Sequence, residues 1–211
     1  IDKSQRLRLE TKQEEVKYLI RSGKWWEAVN DVHHLYVAIG EAIDSISMVD
    51  YTRDNFFLNF TSFPDFITQD DVRAKIHVGC VGFSYIAEDV HLAFLQDMMK
   101  TVRPQVETLL QNYPILFYNG QFELLVPHRF TENFLSNVHW PGSYDYERAE
   151  RLIWRVDDKV AGFIKSSGNL THALVRNSGS FVPRDQPEYA LTLVSMFIEK
   201  DLQDWGRLNE V

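Results

Sequence analysis

Apolar residues recur at three- and four-residue steps through the first fifty positions, which predicts a pair of helices. Leu9, Val16, Leu19 and Ile20 form one stripe among Lys12, Glu14, Glu15 and Lys17, and Gly23 is placed to stop that helix. Trp25, Trp26, Val29, Leu35, Tyr36, Ile39, Ile43 and Ile46 form the next stripe. Residues 49–68 are aromatic-rich and irregular, with a break at Pro64. Thr68, followed three residues on by Asp71, predicts the capped start of a short helix over 72–77 that stops at Gly79. Residues 87–112 read as one or two amphipathic helices interrupted at Pro104.

The pattern then changes. Pro114-Ile115-Leu116-Phe117-Tyr118 is a compact apolar run bounded by Asn119-Gly120, the signature of a buried strand and its turn. Residues 145–156 return to helical spacing through Tyr146, Ala149, Ile153 and Trp154. Residues 160–164 and 170–175 are apolar and flank Ser166-Ser167-Gly168-Asn169, a strand–turn–strand signal. A last helix begins after Pro187 and is expected to bury Tyr189, Leu193, Val194 and Phe197. The predicted organisation is a helical region over 1–68 followed by a mixed α/β region over 69–211, together one domain, without repeats or low-complexity linkers.

Composition narrows the function. The chain has 211 residues, 45% of them hydrophobic and 13% aromatic, enough for a substantial core. Its net charge of -8 argues against nucleic acid and anionic membrane surfaces as partners, since both need clustered Lys and Arg. No apolar run reaches the roughly 20 residues of a membrane helix. His33 and His34 are adjacent and so point to different helix faces, which excludes the i, i+4 pair that holds a metal. No metal or cofactor is expected. The one cysteine, Cys80, has no internal disulfide partner and reads as a small buried hydrophobe. Two N-x-[ST] sequons, at Asn59 and Asn169, are candidate glycosylation sites, while the cysteine count alone favours a reducing compartment. The start at Ile1 rather than methionine reads as a processed or partial product.

Three ordered segments resemble the serine carboxypeptidases. Residues 66–79 look like that family's short capped helix ending in an "IHVG" turn. Residues 115–126, Ile-Leu-Phe-Tyr-Asn-Gly-Gln-Phe-Glu-Leu-Leu-Val, look like its strand followed by N-G-Q-x-D. Gly179-Ser180-Phe181-Val182-Pro183-Arg184-Asp185-Gln186-Pro187 is similar to its G-H-x-V-P-x-D-Q-P turn. Trp140-Pro141-Gly142-Ser143 and Gly23-Lys24-Trp25-Trp26-Glu27-Ala28 add to the likeness, the latter closest to the vitellogenic-carboxypeptidase-like branch. The resemblance covers essentially the whole chain. It implies the C-terminal part of an α/β-hydrolase fold with an N-terminal helical cap insertion, in a secreted, lysosomal or vacuolar glycoprotein, and so reverses the compartment suggested by cysteine.

The family's acyl transfer resembles the Ser-His-Asp arrangement, in which a histidine takes the serine's proton and a carboxylate orients the histidine. The resemblance places Glu123 at the Asp position and Ser180 at the His position. Glutamate keeps an anionic acceptor, but a serine hydroxyl is not basic near neutral pH and cannot replace the imidazole. His172 and His128 belong to no family motif and are weak candidates for a substitute base. Gly82-Phe83-Ser84-Tyr85-Ile86-Ala87 imitates the nucleophile turn, yet lies downstream of its place and lacks the final glycine. The nucleophile belongs upstream of everything matched.

The leading expectation is therefore a catalytically inactive carboxypeptidase-like protein, paired with a complementary N-terminal half and acting as a structural or binding component. A homodimer is a further assembly to consider, and peptide C-termini are a candidate ligand. The alternatives are one chain of an active two-chain carboxypeptidase using a different base, and an unrelated α/β binding module.

Overall fold

A computed structural model describes residues 1–44, 47–53 and 62–199. These residues form two compact units. One comprises Ile1–Ser47 and Arg53–Lys100; the other comprises Met48–Thr52 and the chain from Thr101 onward.

The first unit is helical. Helix α1 (Lys3–Arg21) opens on a reciprocal cap, with Asp2 Oδ1 accepting from the Gln5 N–H at 2.8 Å and Gln5 Oε1 accepting from the Asp2 N–H at 2.7 Å. It ends where Gly23 takes φ +69°, a left-handed conformation that only glycine adopts without strain. Helix α2 (Trp25–Ile43) packs back on it through the buried Val16, Ala28 and Ala38. Helices α3 (Ser62–Ile67), α4 (Asp70–Lys75) and α5 (Glu88–Phe94) are short. Thr68 does not open α4: its hydroxyl donates to Pro64 O at 2.6 Å, closing α3, and Gln69 occupies the cap. A β-hydroxyl that can reach the carbonyl four residues back serves a preceding turn as readily as a following one.

Cys80 is exposed, not buried. Residues 77–83 leave the helix through left-handed His77 and Gly79, and Arg73 Nη2 donates to the carbonyls of Gly79 and Val81 at 2.6 Å each. These two bonds tie the loop to Arg73 of α4.

The second unit is a four-stranded sheet with helices on both faces. Helix α6 (Arg103–Leu110) carries Pro104 in its first turn, where a missing N–H costs nothing, so the proline starts a helix instead of interrupting one. Strands β1 (Ile115–Gly120), β2 (Leu152–Val156), β3 (Lys159–Ser167) and β4 (Leu170–Val175) lie in the order β1-β4-β3-β2. β1 runs parallel to β4, with Ile115 opposite Leu170 and Gly120 opposite Val175. The β3–β4 hairpin turns at Gly168 (φ +52°), as the sequence predicts. Among the described residues β1 pairs along one edge only.

Helices α7 (His128–Leu135) and α8 (Ser143–Arg148) join α6 over one face, where Leu110, Leu135, Val138 and Tyr146 pack on Leu170, Ile115 and Phe117. Helices α9 (Val182–Asp185) and α10 (Pro187–Ile198) cover the other, placing Val182, Ala190 and Leu193 on Trp154, Ile164, Ala173 and Val175. Val194 is exposed, so the buried stripe of α10 is narrower than its spacing suggests.

Two sequence expectations give way here. Residues 145–156 are not one helix: α8 ends at Arg148, and 152–156 is a strand. Leu152, Trp154 and Val156 all pack in one core, a period of two that outweighs the helical spacing of Tyr146, Ala149 and Ile153. Asn119-Gly120 is not a turn but the end of β1. Glycine is required at 120 because a Cβ there would collide with the main chain of Ser178 and Gly179.

Candidate functional site

The C-terminal ends of the parallel strands β1 and β4 stand side by side, and the chain leaving each carries one residue of interest. Past β1, the Gln121 N–H donates to Val175 O at 3.0 Å and the Phe122 N–H to Ser178 O at 2.8 Å, which places Glu123 against the turn after β4. That turn carries Ser180. Its shape is held by Asp185, whose Oδ2 accepts from the Gly179 N–H at 2.9 Å, and by Gln186, whose amide donates to Asn177 O at 3.0 Å. The Asp-Gln pair thus braces the Ser180 turn.

A third segment crosses the same place. Met48–Thr52 belongs to this unit, and Val49 O accepts from the Ser180 N–H at 2.8 Å and the Ser180 hydroxyl at 3.3 Å. Met48 O accepts from Leu124 and Leu125, and the Tyr51 ring meets Phe122 edge-on at 5.4 Å. Gly179 lies so close to this strap that a Cβ would strike Val49 O and Asp50.

The structure brings Glu123 and Ser180 together. Burial raises the Glu123 carboxyl above its ordinary range, and hydrogen bonds from the Ser180 hydroxyl and the Val126 N–H oppose that rise. The single Ser180 proton serves either Glu123 or Val49 O. A hydroxyl so held donates; it has no basic site to take a proton from a nucleophile.

His172 and His128 are engaged elsewhere. His172 Nε2 lies 3.0 Å from Asn119 Oδ1, and the Asn119 amide nitrogen donates to Val126 O at 3.0 Å, so the oxygen faces the histidine and Nε2 is the donor. The two imidazoles stack with centroids 4.3 Å apart at 20°. Burial, with His128 alongside, pushes the His172 pKa down to about 4. Burial also lowers His128, against the pull of Glu132. A line of hydrogen bonds therefore runs from His172 through Asn119 to the main-chain carbonyl of Val126. Neither the line nor the Met48–Thr52 strap is legible in the sequence. Both depend on contacts between distant segments, and Asn119 reads as a turn residue.

Ser84 lies in a loop with no strand before it among the described residues, and its hydroxyl donates to Ile86 O at 2.7 Å. The Asn169 side chain donates to Leu110 O at 2.9 Å, and Thr171 of that sequon is buried against Ser166. The Asn59 sequon lies outside the described residues. Among the described residues, no group of three or more His, Cys, Asp or Glu side chains could hold a metal ion, and no helix is long and apolar enough to cross a membrane.

The serine carboxypeptidase family model matches residues 9–200. The chain belongs to the serine carboxypeptidase family. It is similar to the venom serine carboxypeptidase of Apis mellifera, 33% identical over 196 residues that cover 88% of this chain and 42% of that one. It is also similar to the vitellogenic carboxypeptidase of Aedes aegypti, 38% identical over 143 residues, 65% of this chain and 30% of that one. The chain thus spans less than half the length of these curated relatives. The crystal structure of Kex1, a prohormone-processing carboxypeptidase from Saccharomyces cerevisiae, superposes with a TM-score of 0.74 at 19% identity, covering 95% of this chain and 49% of that one. The fold is accordingly that of an α/β-hydrolase, of which this serine carboxypeptidase chain forms the C-terminal part.

Proposed function

We propose that this chain is the C-terminal portion of a serine-carboxypeptidase-like protein that does not hydrolyse peptides and acts as a structural or binding component. The observation that carries the reading is Ser180, which the family resemblance sets at the base position and whose hydroxyl donates to Val49 O at 3.3 Å, where no imidazole is present. Loss of one triad member costs roughly 10⁴- to 10⁶-fold in turnover. The two histidines offer no substitute, since they bond to Asn119 and Glu132 and burial weakens both as bases.

The partner in this reading is an upstream portion of the same fold, supplying the nucleophile turn. The edge of β1 that pairs with no described strand suits it, as do the exposed Val81, Tyr85, Ile86 and Phe94 of the first unit. A homodimer would meet the same need less fully. The modified cleft would retain affinity for peptide C-termini, and the compartment is the secretory pathway. An active two-chain carboxypeptidase is the competing reading, favoured by the retained carboxyl at Glu123.

The test is hydrolysis of an N-blocked dipeptide by the protein joined to its upstream portion, with and without Ser180→His. The expected result is no release of the C-terminal residue by the wild type and measurable release by the variant. Turnover by the wild type would establish the competing reading.

A further inference from the structure

Helix α7 is held unequally at its two ends. Its C-terminal end is anchored in the apolar core, where Leu135 is buried with Leu110 and Leu170 and the Phe134 ring lies 6.3 Å from that of Phe117. Its N-terminal half, residues 128–131, buries no apolar side chain, and Phe130 is 51% exposed. That half is held by the stack of His128 on His172, and by the bond from the Asn119 amide to Val126 O just before the helix. A segment with few buried apolar contacts opens first. The same helix forms one side of a cavity of about 460 Å³, which His172, Phe163 and Lys165 line from the sheet.

The stack suits two neutral rings. Glu132 is held below the ordinary carboxylate range by Arg129, His128 and Arg151, so it is ionised and only accepts. His128 Nε2, 3.1 Å from Glu132 Oε1, therefore carries the ring proton. A second proton would have to go on Nδ1, which is buried and has no hydrogen-bond partner among the described residues. His128 is also the first residue of α7, where the helix dipole disfavours a cation. His172 donates from Nε2 to Asn119 Oδ1, so it too has only Nδ1 left to protonate.

The surrounding charges do not compensate two imidazolium rings. α7 brings Glu132 and Arg129, the segment before β2 brings Arg151, and β3 brings Lys165 directly opposite His172 in register. Glu147 and Tyr146 of α8 and His139 complete the titratable lining of the cavity. Glu132 already receives Arg129 at 2.8 Å and Arg151 at 3.8 Å, and Glu147 is exposed. Burial raises the Tyr146 phenol, which stays neutral. Two charged rings with centroids 4.3 Å apart would repel at close range.

We infer that the N-terminal half of α7 is an acid-released flap over the cavity. On acidification both imidazoles take up a proton and the stack parts. Residues 128–131 then lift from the sheet while Phe134 and Leu135 hold the far end, and the cavity side of β3 and β4 meets solvent. Burial lowers the pKa of both closed histidines, that of His172 to about 4, whereas in the opened form they titrate near the ordinary 6.5. The closed form thus binds fewer protons; it is favoured above about 6.5 and loses ground as pH falls toward 4. His172 alone raises the opening constant roughly 25-fold between pH 7.5 and 5, and His128 adds to it.

The test is hydrogen exchange of the purified native protein, read by mass spectrometry on peptides covering α7 and β4 at pH 7.5 and 5, with intrinsic exchange rates corrected. The expected result is a loss of α7 protection of roughly 25-fold or more on acidification. That loss should not respond to about 0.5 M urea, because a local opening exposes little surface. Protection of α7 that is independent of pH would overturn the assignment. So would exchange of α7 that urea accelerates in step with β4, since the pH effect would then be global unfolding. His128→Gln combined with His172→Gln keeps the donors to Glu132 and Asn119 and should abolish the loss; its full persistence would also overturn the assignment. The wild-type measurements decide by themselves if the double variant fails to fold.

Discussion

Glu123 and Ser180 meet because two parallel strands end side by side, and the family resemblance singles out both positions through motifs in the sequence. Their motifs are local, which is why they were readable. Their chemistry was readable too, since the basicity of an imidazole and a hydroxyl does not depend on the fold. The histidines were not readable. His172 is buried beneath α7, stacked on His128, with Arg151 and Glu132 nearby, and only packing creates that setting. Its consequence is a pH dependence. The unfolded His172 binds a proton near its ordinary 6.5, the folded one only near 4, so the unfolded state holds more protons in between. Stability is therefore full above about 6.5 and falls as pH drops toward 4, by about 3 kcal/mol in all from this residue. Glu123 works in the opposite sense, because a carboxyl raised on folding favours the protonated, acidic side. His172→Gln keeps a donor for Asn119 and removes the titration. Its melting temperature should lose less than the wild type's between pH 7.5 and 5; an unchanged pH slope would show that His172 is not the sensor.

At the scale of elements, the helical hairpin, the β3–β4 hairpin and α10 were legible because each is a local periodicity with a glycine or proline at its boundary. β2 was misread because apolar residues at 146, 149 and 153 fit a helix while 152, 154 and 156 fit a strand, and the pairing with β3 decides between them. The glycines at 120 and 179 looked like turn formers, yet their requirement is close approach. Three segments, the ends of β1 and β4 and the Met48–Thr52 strap, converge with main chain against main chain. Gly179→Ala forces a methyl into Val49 O and Asp50, and neither is the free end of a flexible side chain. The expected cost is about 3 kcal/mol in chemical denaturation, the upper end for overpacking. A change below about 0.5 kcal/mol would mean that the strap does not sit on the Ser180 turn.

For the molecule as a whole, the likeness to Kex1 extends over 95% of the chain, and the first compact unit runs to Lys100, past the expected boundary at 68. Glycosylation would support the proposed secretory compartment, and the two candidate sequons differ. The Asn169 amide is committed to Leu110 O and its Thr171 is buried, so glycosylation is expected at Asn59. Enzymatic deglycosylation should shift the wild type and Asn169→Gln on a gel but not Asn59→Gln. A shift that survives Asn59→Gln and is lost in Asn169→Gln would reverse that assignment.

The claim that Ser180 has ended peptidase chemistry in this protein is tested most directly by fluorophosphonate labelling of native material, read by denaturing electrophoresis and mass spectrometry. No labelled serine is expected in the wild-type protein, whether or not an upstream portion co-purifies. A stoichiometrically labelled serine would mean that a competent base operates without an imidazole at position 180, and the non-catalytic reading would be wrong.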